Sequence, residues 1–272
     1  MPGRRSSIFA SAHAKLQWAE RHIDQLQTAS TAYLSPLLML DVQQNSTTNR
    51  LVMRIRYRGQ RLPTEFGLMI GDIATNLRAV LDHIVWRLVS PKLTPDDRKE
   101  DVGFPFVRER TKLKKQIKRA LLDRVGKADE LIESIAPYPG GNDDLYALHT
   151  LSNGDKHRLC TVVSDFVELH RIVDPKGRRK PVDLNGLRFG TGPGLLNKLH
   201  LSGMGITLSH NGTIDPAQFE KTFHLAFADE TPYAREPVIP TLKRQAEQVR
   251  GILEKFEDRY PTVQLSDAYY DD

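Results

Sequence analysis

The feature of the sequence that most constrains its fold is a long apolar stripe between Pro63 and Pro91. Apolar side chains recur there at every third or fourth position, namely Phe66, Ile70, Ile73, Leu77, Leu81, Ile84 and Leu88. This spacing is typical of the buried face of an amphipathic helix, and proline suits both its start and its end. It is the strongest helix that the sequence predicts.

Further helices are predicted toward both ends of the chain, with β-structure between them. The helices cover residues 7–30, about 111–124, 127–136, a segment after Asp143 or Asp144 that ends at Asn153-Gly154, and a last one from Pro240. Candidate strands lie at 37–42, 51–57, 159–173, 187–189, 206–209 and 223–228, with a turn at Asn211-Gly212. The predicted class is α+β in one domain, 1–272. A mainly helical bundle (7–30, 64–153 and 240–260) carries an inserted antiparallel β-hairpin (33–61) and a β-rich insertion (158–228).

Composition excludes several classes of protein. The chain has 272 residues, of which 39% are hydrophobic and 27% charged, so it has enough apolar material for a core and is not a disordered chain. A single cysteine, Cys160, excludes an internal disulfide, a zinc finger and an iron–sulfur cluster. No uninterrupted apolar run of membrane-spanning length occurs. We therefore expect a cytoplasmic protein without a membrane segment.

Several familiar catalytic motifs are also missing. The glycine-rich run from Gly190 to Gly194 lacks the lysine of a P-loop. Neither a His-Glu-x-x-His helix nor a Gly-x-Ser-x-Gly elbow occurs.

One motif on the long helix indicates chemistry. Arg78 and His83 are separated by four residues, Ala79-Val80-Leu81-Asp82. The spacing resembles the Arg-x4–6-His signature of the HEPN superfamily, helical-bundle proteins many of which are metal-independent ribonucleases in toxin–antitoxin, CRISPR-associated and anti-phage systems. The resemblance covers the helical parts of the chain. It implies a homodimer, since two protomers of that family commonly bring their Arg–His pairs together.

The two residue types suit metal-free cleavage of RNA. An imidazole at His83 would carry protons to or from the 2′-hydroxyl and the leaving oxygen, and the guanidinium of Arg78 would bind the phosphate. Asp82 belongs to the same candidate catalytic group. The alternative is structural: Arg78 pairs with Asp82 one helical turn away, and His83 is a half-buried bundle residue. Five residues along a helix turn through about 140°, so Arg78 and His83 leave it on different sides.

A second candidate group follows the predicted helix that ends at Asn153-Gly154. Asp155, Lys156, His157 and Arg158 stand consecutively there. Lys156 and Arg158 could clamp a phosphate, His157 could act as a further acid or base, and Asp155 could orient a histidine. The alternative is that Asp155 caps the next segment and the others are merely solvated. Asn76 on the long helix is a further candidate for substrate binding.

Basic surfaces favour an anionic partner. The formal net charge is +5, and nine lysines and arginines lie between Arg108 and Lys127, Lys114 and Lys118 among them. In the predicted strand 51–57, Arg54 and Arg56 lie on one face. Either patch could equally be a solvated surface.

The sequence therefore predicts a cytoplasmic, HEPN-like endoribonuclease that cleaves RNA by 2′-hydroxyl attack, as a toxin or an anti-phage effector. The predicted partners are RNA or another polyanion, a second copy of the chain, and an antitoxin or regulatory protein. No cofactor or metal is predicted. Two alternatives stay open: a non-catalytic helical module that binds RNA, a nucleotide or a protein, and a metal-dependent hydrolase using Asp72, His83, Asp155 and His157.

Overall fold

Helices form the larger part of the secondary structure. The computed structural model of the chain describes residues 8–36, 38–45, 50–57, 62–155, 162–172, 182–190 and 219–261. The α-helices are α1 Ala10–Leu34, α2 Thr64–Val89, α3 Leu113–Arg119, α4 Ala128–Ile135, α5 Asp143–Asp155 and α6 Val238–Arg259. The mainly helical character predicted from periodicity is confirmed. No helix in the described ranges is both long and apolar enough to cross a lipid bilayer.

In the part of the chain that the structure describes, five strands form two antiparallel sheets. Strands β1 Leu38–Asn45 and β2 Arg50–Tyr57 pair with each other, so that Asp41 is the Cα partner of Arg54 and Met39 that of Arg56. Strand β3 Val162–Ile172 lies between β4 Val182–Gly190 and β5 Phe219–Phe227. The predicted strand 206–209 and the predicted turn at Asn211-Gly212 lie outside the described residues.

The chain divides into two compact units. The first unit contains the described residues within 1–24, 68–160 and 241–272. The second contains those within 25–67 and 161–240. Each candidate site residue on α2 and α5 belongs to the first unit, and Arg54 and Arg56 belong to the second.

The helices of the first unit bury the stripes that their sequences predict. On α2 the side chains of Ile70, Ile73, Leu77, Leu81 and Ile84 are completely buried. Leu16 of α1, Leu148 of α5 and Phe256 of α6 are buried as well. Polar links join these helices at their surfaces: His13 to Glu257, Arg250 to Glu20 and Arg244 to Asp144. The apolar core therefore holds α2 at a fixed depth, which determines which of its side chains reach solvent.

Several predicted boundaries are wrong, and the backbone explains one of them. The basic helix predicted over 111–124 ends at Arg119, because Leu121 adopts a left-handed conformation (φ 59°) that an α-helix cannot contain. Helix α5 passes through Asn153-Gly154 and ends at Asp155, and at its start Asn142, rather than either aspartate, accepts the N–H of Leu145. Helix α1 is shifted to residues 10–34, and α6 begins two residues before Pro240.

The turn between α4 and α5 is tied together by backbone hydrogen bonds. The carbonyl of Ala136 accepts the N–H groups of Tyr138 and Asn142, each at 2.8 Å, and Pro137 accepts the N–H of Val107 at 3.3 Å. Gly141 is required in this turn, because a Cβ there would lie 2.7 Å from the carbonyl oxygen of Ala136. The turn thus connects the start of α5 with the loop that precedes α3.

We expect Gly141→Ala to lower the free energy of unfolding by about 1–3 kcal/mol, because the backbone of the turn has to move. The matched control is Gly126→Ala, whose added Cβ has no atom within 4 Å. The control should leave stability unchanged or raise it by up to about 1 kcal/mol. Urea denaturation followed by circular dichroism measures both, and equal effects would contradict the steric argument.

Candidate functional site

Asp82 is the polar centre of the candidate site. One of its carboxylate oxygens lies 3.4 Å from Nη1 of Arg78, one turn earlier on α2. The other oxygen accepts the backbone N–H of Phe104 at 2.9 Å. Asp82 therefore holds the guanidinium and the loop before α3 at the same time. The ion pair that the sequence offered as the structural alternative is present.

Gly103 allows this close approach of the loop to α2. A Cβ at this position would lie 3.2 Å from the carboxylate oxygen of Asp82 that accepts the Phe104 N–H. The next residues, Phe104 and Pro105, are buried, and the N–H of Phe106 is donated back to the carbonyl of Phe104 at 2.9 Å. The loop is therefore a tight turn that presents Phe106 beside α2.

Phe106 brings Arg78 and His149 together. The guanidinium carbon of Arg78 lies 5.7 Å from the centroid of the Phe106 ring, within the range of a cation–π interaction. The imidazole of His149, on α5, stacks on the same ring, with centroids 4.2 Å apart and planes inclined by 12°. Nδ2 of Asn153 lies 3.0 Å from Nε2 of His149.

The guanidinium of Arg78 is held in place and is not fully satisfied. Its side chain is 20% exposed. Its Nε atom is buried without a hydrogen-bond partner in the described part of the chain. A buried donor of this kind is unfavourable unless a ligand or a water molecule accepts from it. The cation is thus held beside Asp82 and Phe106, and part of its side chain still reaches solvent.

His83 has different surroundings, although it follows Asp82 directly. It is half-buried, and its pKa is lowered from 6.5, chiefly because burial disfavours the charged imidazolium and also because of the positive charge of Lys15; the carboxylate of Asp82 opposes both effects. Among the described residues, His83 and Arg78 form no hydrogen bond with each other. The neutral imidazole is therefore the main form of His83 at pH 7.

Asn76, predicted to bind substrate, is engaged within the protein. Its Oδ1 accepts a hydrogen bond from Nζ of Lys15 at 3.1 Å, and its Nδ2 donates to the carbonyl of Asp72 at 2.7 Å. Asn76 thus joins α1 to α2 and helps to place Lys15, the residue whose charge acts on His83.

An exposed stripe of α2 separates Arg78 from His83. Leu68 is 55% exposed and Trp86 43% exposed, and these are unusually large values for such apolar side chains. Thr75 and Ala79 lie between them on the same side of the helix, and Thr75 is exposed. Arg78 and His83 border this stripe on opposite sides.

The basic segment 108–127 is partly neutralised. Lys112, Arg119 and Arg124 pair with Glu109, Asp101 and Asp97, at 2.7, 2.6 and 2.6 Å. Lys114 and Lys118 are exposed, and within the described ranges neither has an ion pair. These two lysines remain available to an external anion.

Other predicted site residues fall outside what the structure describes. Asp155 is the last residue of α5, and its side chain is outside the described part, as are Lys156, His157 and Arg158. Arg54 and Arg56 are described only as backbone positions of β2. Among the described side chains, no group of three or more His, Cys, Asp or Glu residues could hold a metal ion.

His149 is a residue that sequence reasoning missed. No recognisable motif surrounds it in the sequence. One signal was present, since His149 and Asn153 are four residues apart and so share one face of α5.

Comparisons with protein-family models, curated proteins and solved structures found no match for the chain, so its function is inferred from these side chains.

We expect Asp82→Ala to lower the free energy of unfolding by about 1–3 kcal/mol, because the N–H of buried Phe104 loses its acceptor. Asp82→Asn should lose less, since an amide oxygen can still accept that hydrogen bond. Urea denaturation provides the measurement. The control is the exposed Asp123→Ala, expected within about 0.5 kcal/mol of the wild type, and a similar value for Asp82→Ala would be evidence against the anchoring role.

The titration of His83 gives a second test. Because its folded pKa is lowered, the unfolded chain binds more protons between that value and 6.5, so stability is present above pH 6.5 and falls as pH drops through the folded pKa. In an NMR titration, the His83 midpoint should lie below 6.5. Lys15→Ala should move it upward but not fully to 6.5, since burial is the larger cause; the exposed Lys114→Ala should leave it in place.

Proposed function

We propose that the chain is a HEPN-like, metal-independent endoribonuclease, in which a helical bundle carries inserted antiparallel strands. Arg78 binds the scissile phosphate and His83 moves a proton. One observation carries the proposal. The guanidinium of Arg78 is held by Asp82 and Phe106, remains 20% exposed, and has a buried Nε without a partner among the described residues. Asp82 acts by positioning Arg78.

The chemistry follows from these residue types. In RNA the 2′-oxygen can attack the adjacent phosphorus, after which the bond to the 5′-oxygen breaks and a 2′,3′-cyclic phosphate remains. The pentacoordinate transition state carries more negative charge on its oxygens than the diester does. A cation fixed in advance stabilises that state without having to reorganise. A forked guanidinium can donate to two of those oxygens.

His83 has the properties of a proton acceptor. Its lowered pKa keeps the imidazole neutral at pH 7, and a neutral imidazole can take the proton of the 2′-hydroxyl. The ring is half-buried rather than enclosed, so a substrate can reach it.

A homodimer is part of the proposal, because Arg78 and His83 border opposite sides of the exposed stripe on α2. Leu68 and Trp86, at 55% and 43% exposure, give that stripe the apolar side chains of a contact surface. Packing two copies along it would bring Arg78 of one protomer toward His83 of the other. The complete site would then need both copies.

The remaining parts of the proposal concern partners and location. Lys114 and Lys118 are exposed cations that suit the RNA backbone on either side of the cleaved bond. A cytoplasmic location, a role as a toxin or an anti-phage effector, and control by an antitoxin or regulatory protein belong to the same proposal.

A non-catalytic module that binds RNA, a nucleotide or a protein is the second candidate. Two observations favour it: the Arg78–Asp82 ion pair, which is also common as a purely structural contact, and the exposed lysines of α3. It predicts salt-sensitive binding of RNA without cleavage.

Cleavage in EDTA tests the proposal. Wild-type protein should cut single-stranded RNA and leave cyclic phosphate ends, while Arg78→Ala and His83→Ala should each lose about two to four orders of magnitude in rate. Lys255→Ala, an exposed cation on α6, is the matched control and should cut normally. Binding without cleavage would favour the second candidate, and activity abolished by EDTA would contradict a metal-free reaction.

Mixing the two inactive variants tests whether the site is shared. If Arg78 and His83 come from different protomers, a mixed dimer of Arg78→Ala and His83→Ala contains one intact site. An equimolar mixture should then recover about a quarter of the wild-type rate, because about half of the dimers are mixed. No recovery, with dimers verified by analytical ultracentrifugation, would show that both groups act within one protomer or not at all.

A further inference from the structure

His149 is the histidine whose ring shares an aromatic neighbour with Arg78 inside one protomer. Both groups lie against Phe106, the guanidinium carbon at 5.7 Å from its centroid and the imidazole at 4.2 Å. Neither is enclosed, since the side chain of Arg78 is 20% exposed and His149 is half-buried. Phe106 is therefore a common neighbour of the guanidinium and this imidazole.

The backbone around Phe106 fixes this arrangement. Asp82 accepts the N–H of Phe104 at 2.9 Å, and Pro137 accepts the N–H of Val107 at 3.3 Å, so the loop is held on both sides of the ring. The loop cannot shift without breaking one of these bonds. The ring that both Arg78 and His149 neighbour is thus held in place.

Asn153 orients the imidazole from the same face of α5. Its side-chain nitrogen lies 3.0 Å from Nε2 of His149. An amide can donate to a neutral ring nitrogen through its NH2 group, and after a flip it can accept from a protonated one through its oxygen. Asn153 is therefore able to hold the ring in both protonation states.

RNA cleavage has two proton transfers, and His83 supplies only one of them. The 2′-hydroxyl loses a proton to a base as the 2′-oxygen forms its bond to phosphorus. The bond from phosphorus to the 5′-oxygen breaks, and that oxygen takes a proton from an acid. The base ends protonated, the acid ends neutral, and exchange with water restores both.

We infer that His149 is the general acid that protonates the leaving 5′-oxygen of the phosphodiester bound at Arg78. This inference rests on the proposed ribonuclease function and extends it by a second catalytic imidazole. Asn153 is its positioning residue. Arg78 and His149 then act from one protomer, and the base at His83 comes from the other.

A substrate with a good leaving group distinguishes a general acid from a residue that binds the phosphate or acts as the base. A uridine 3′-phosphate ester of 4-nitrophenol releases a phenolate that needs no proton to leave. On RNA, His149→Ala and His149→Gln should each lose about two to four orders of magnitude in rate. On the nitrophenyl ester both should stay within about tenfold of the wild type, whereas Arg78→Ala and His83→Ala should lose activity on both substrates.

Two variants serve as controls. His22→Ala removes a histidine of α1 whose ring lies 4.6 Å from that of Trp18, and it should cleave both substrates at the wild-type rate. His149→Gln keeps a planar polar side chain against Phe106, and thermal melting checks that it folds. If either His149 variant cleaves RNA normally, or loses both substrates equally, His149 is not the acid.

Failure of the ribonuclease proposal gives a different result from failure of the His149 assignment. A folded wild-type protein that cleaves neither substrate is not a ribonuclease of this kind, and the inference falls with the proposal. If the wild type is active and only the His149 variants behave otherwise than expected, the ribonuclease stands and the assignment of the acid is overturned.

Discussion

The candidate site depends on one carboxylate, that of Asp82. It faces the guanidinium of Arg78 along α2 and accepts the N–H of Phe104 from a loop twenty-two residues further on. A buried backbone N–H without an acceptor is unfavourable, so moving the loop away from Asp82 would lower the stability of the fold. Because the loop is fixed, Phe106 is fixed, and with it the relation between Arg78 and His149. The same ion pair that could be dismissed as a surface contact therefore organises the surrounding structure.

The position of α2 in the core determines the chemistry available to the site. Its apolar stripe is buried, so the side chains of Arg78 and His83 emerge on different sides of the part that remains exposed. Each then meets a different neighbour. Arg78 meets an aromatic ring that tolerates a cation, and His83 meets Lys15, which disfavours a second positive charge. His83 is thus kept mainly neutral at pH 7, while Arg78, five positions earlier on the same helix, lies against an aromatic ring.

Much of this arrangement follows from the sequence, and the part that does not has a physical reason. The register of α2 was predictable, because burial of Ile70, Leu77 and Ile84 dictates the spacing of apolar residues. The pairing of Arg78 with Asp82 was equally local, one turn apart. The contact of Phe106 with His149 was not predictable, since residues so far apart in sequence meet only through the tertiary fold. Nor was the end of α3, which depends on a left-handed leucine that no local preference favours.

The residue that follows α4, Ala136, has an unusual backbone conformation. Ala136 has a φ of 53°, a conformation in which glycine is far more common, and its carbonyl accepts two N–H groups of the following turn. Left-handed backbone at a non-glycine residue is unfavourable by about 1–3 kcal/mol. A glycine here would remove that strain, but it would also give the unfolded chain more freedom to lose. The methyl group of Ala136 thus strains the folded state but restricts the unfolded chain. This residue lies in the turn that connects α4 with α5, the helix of His149.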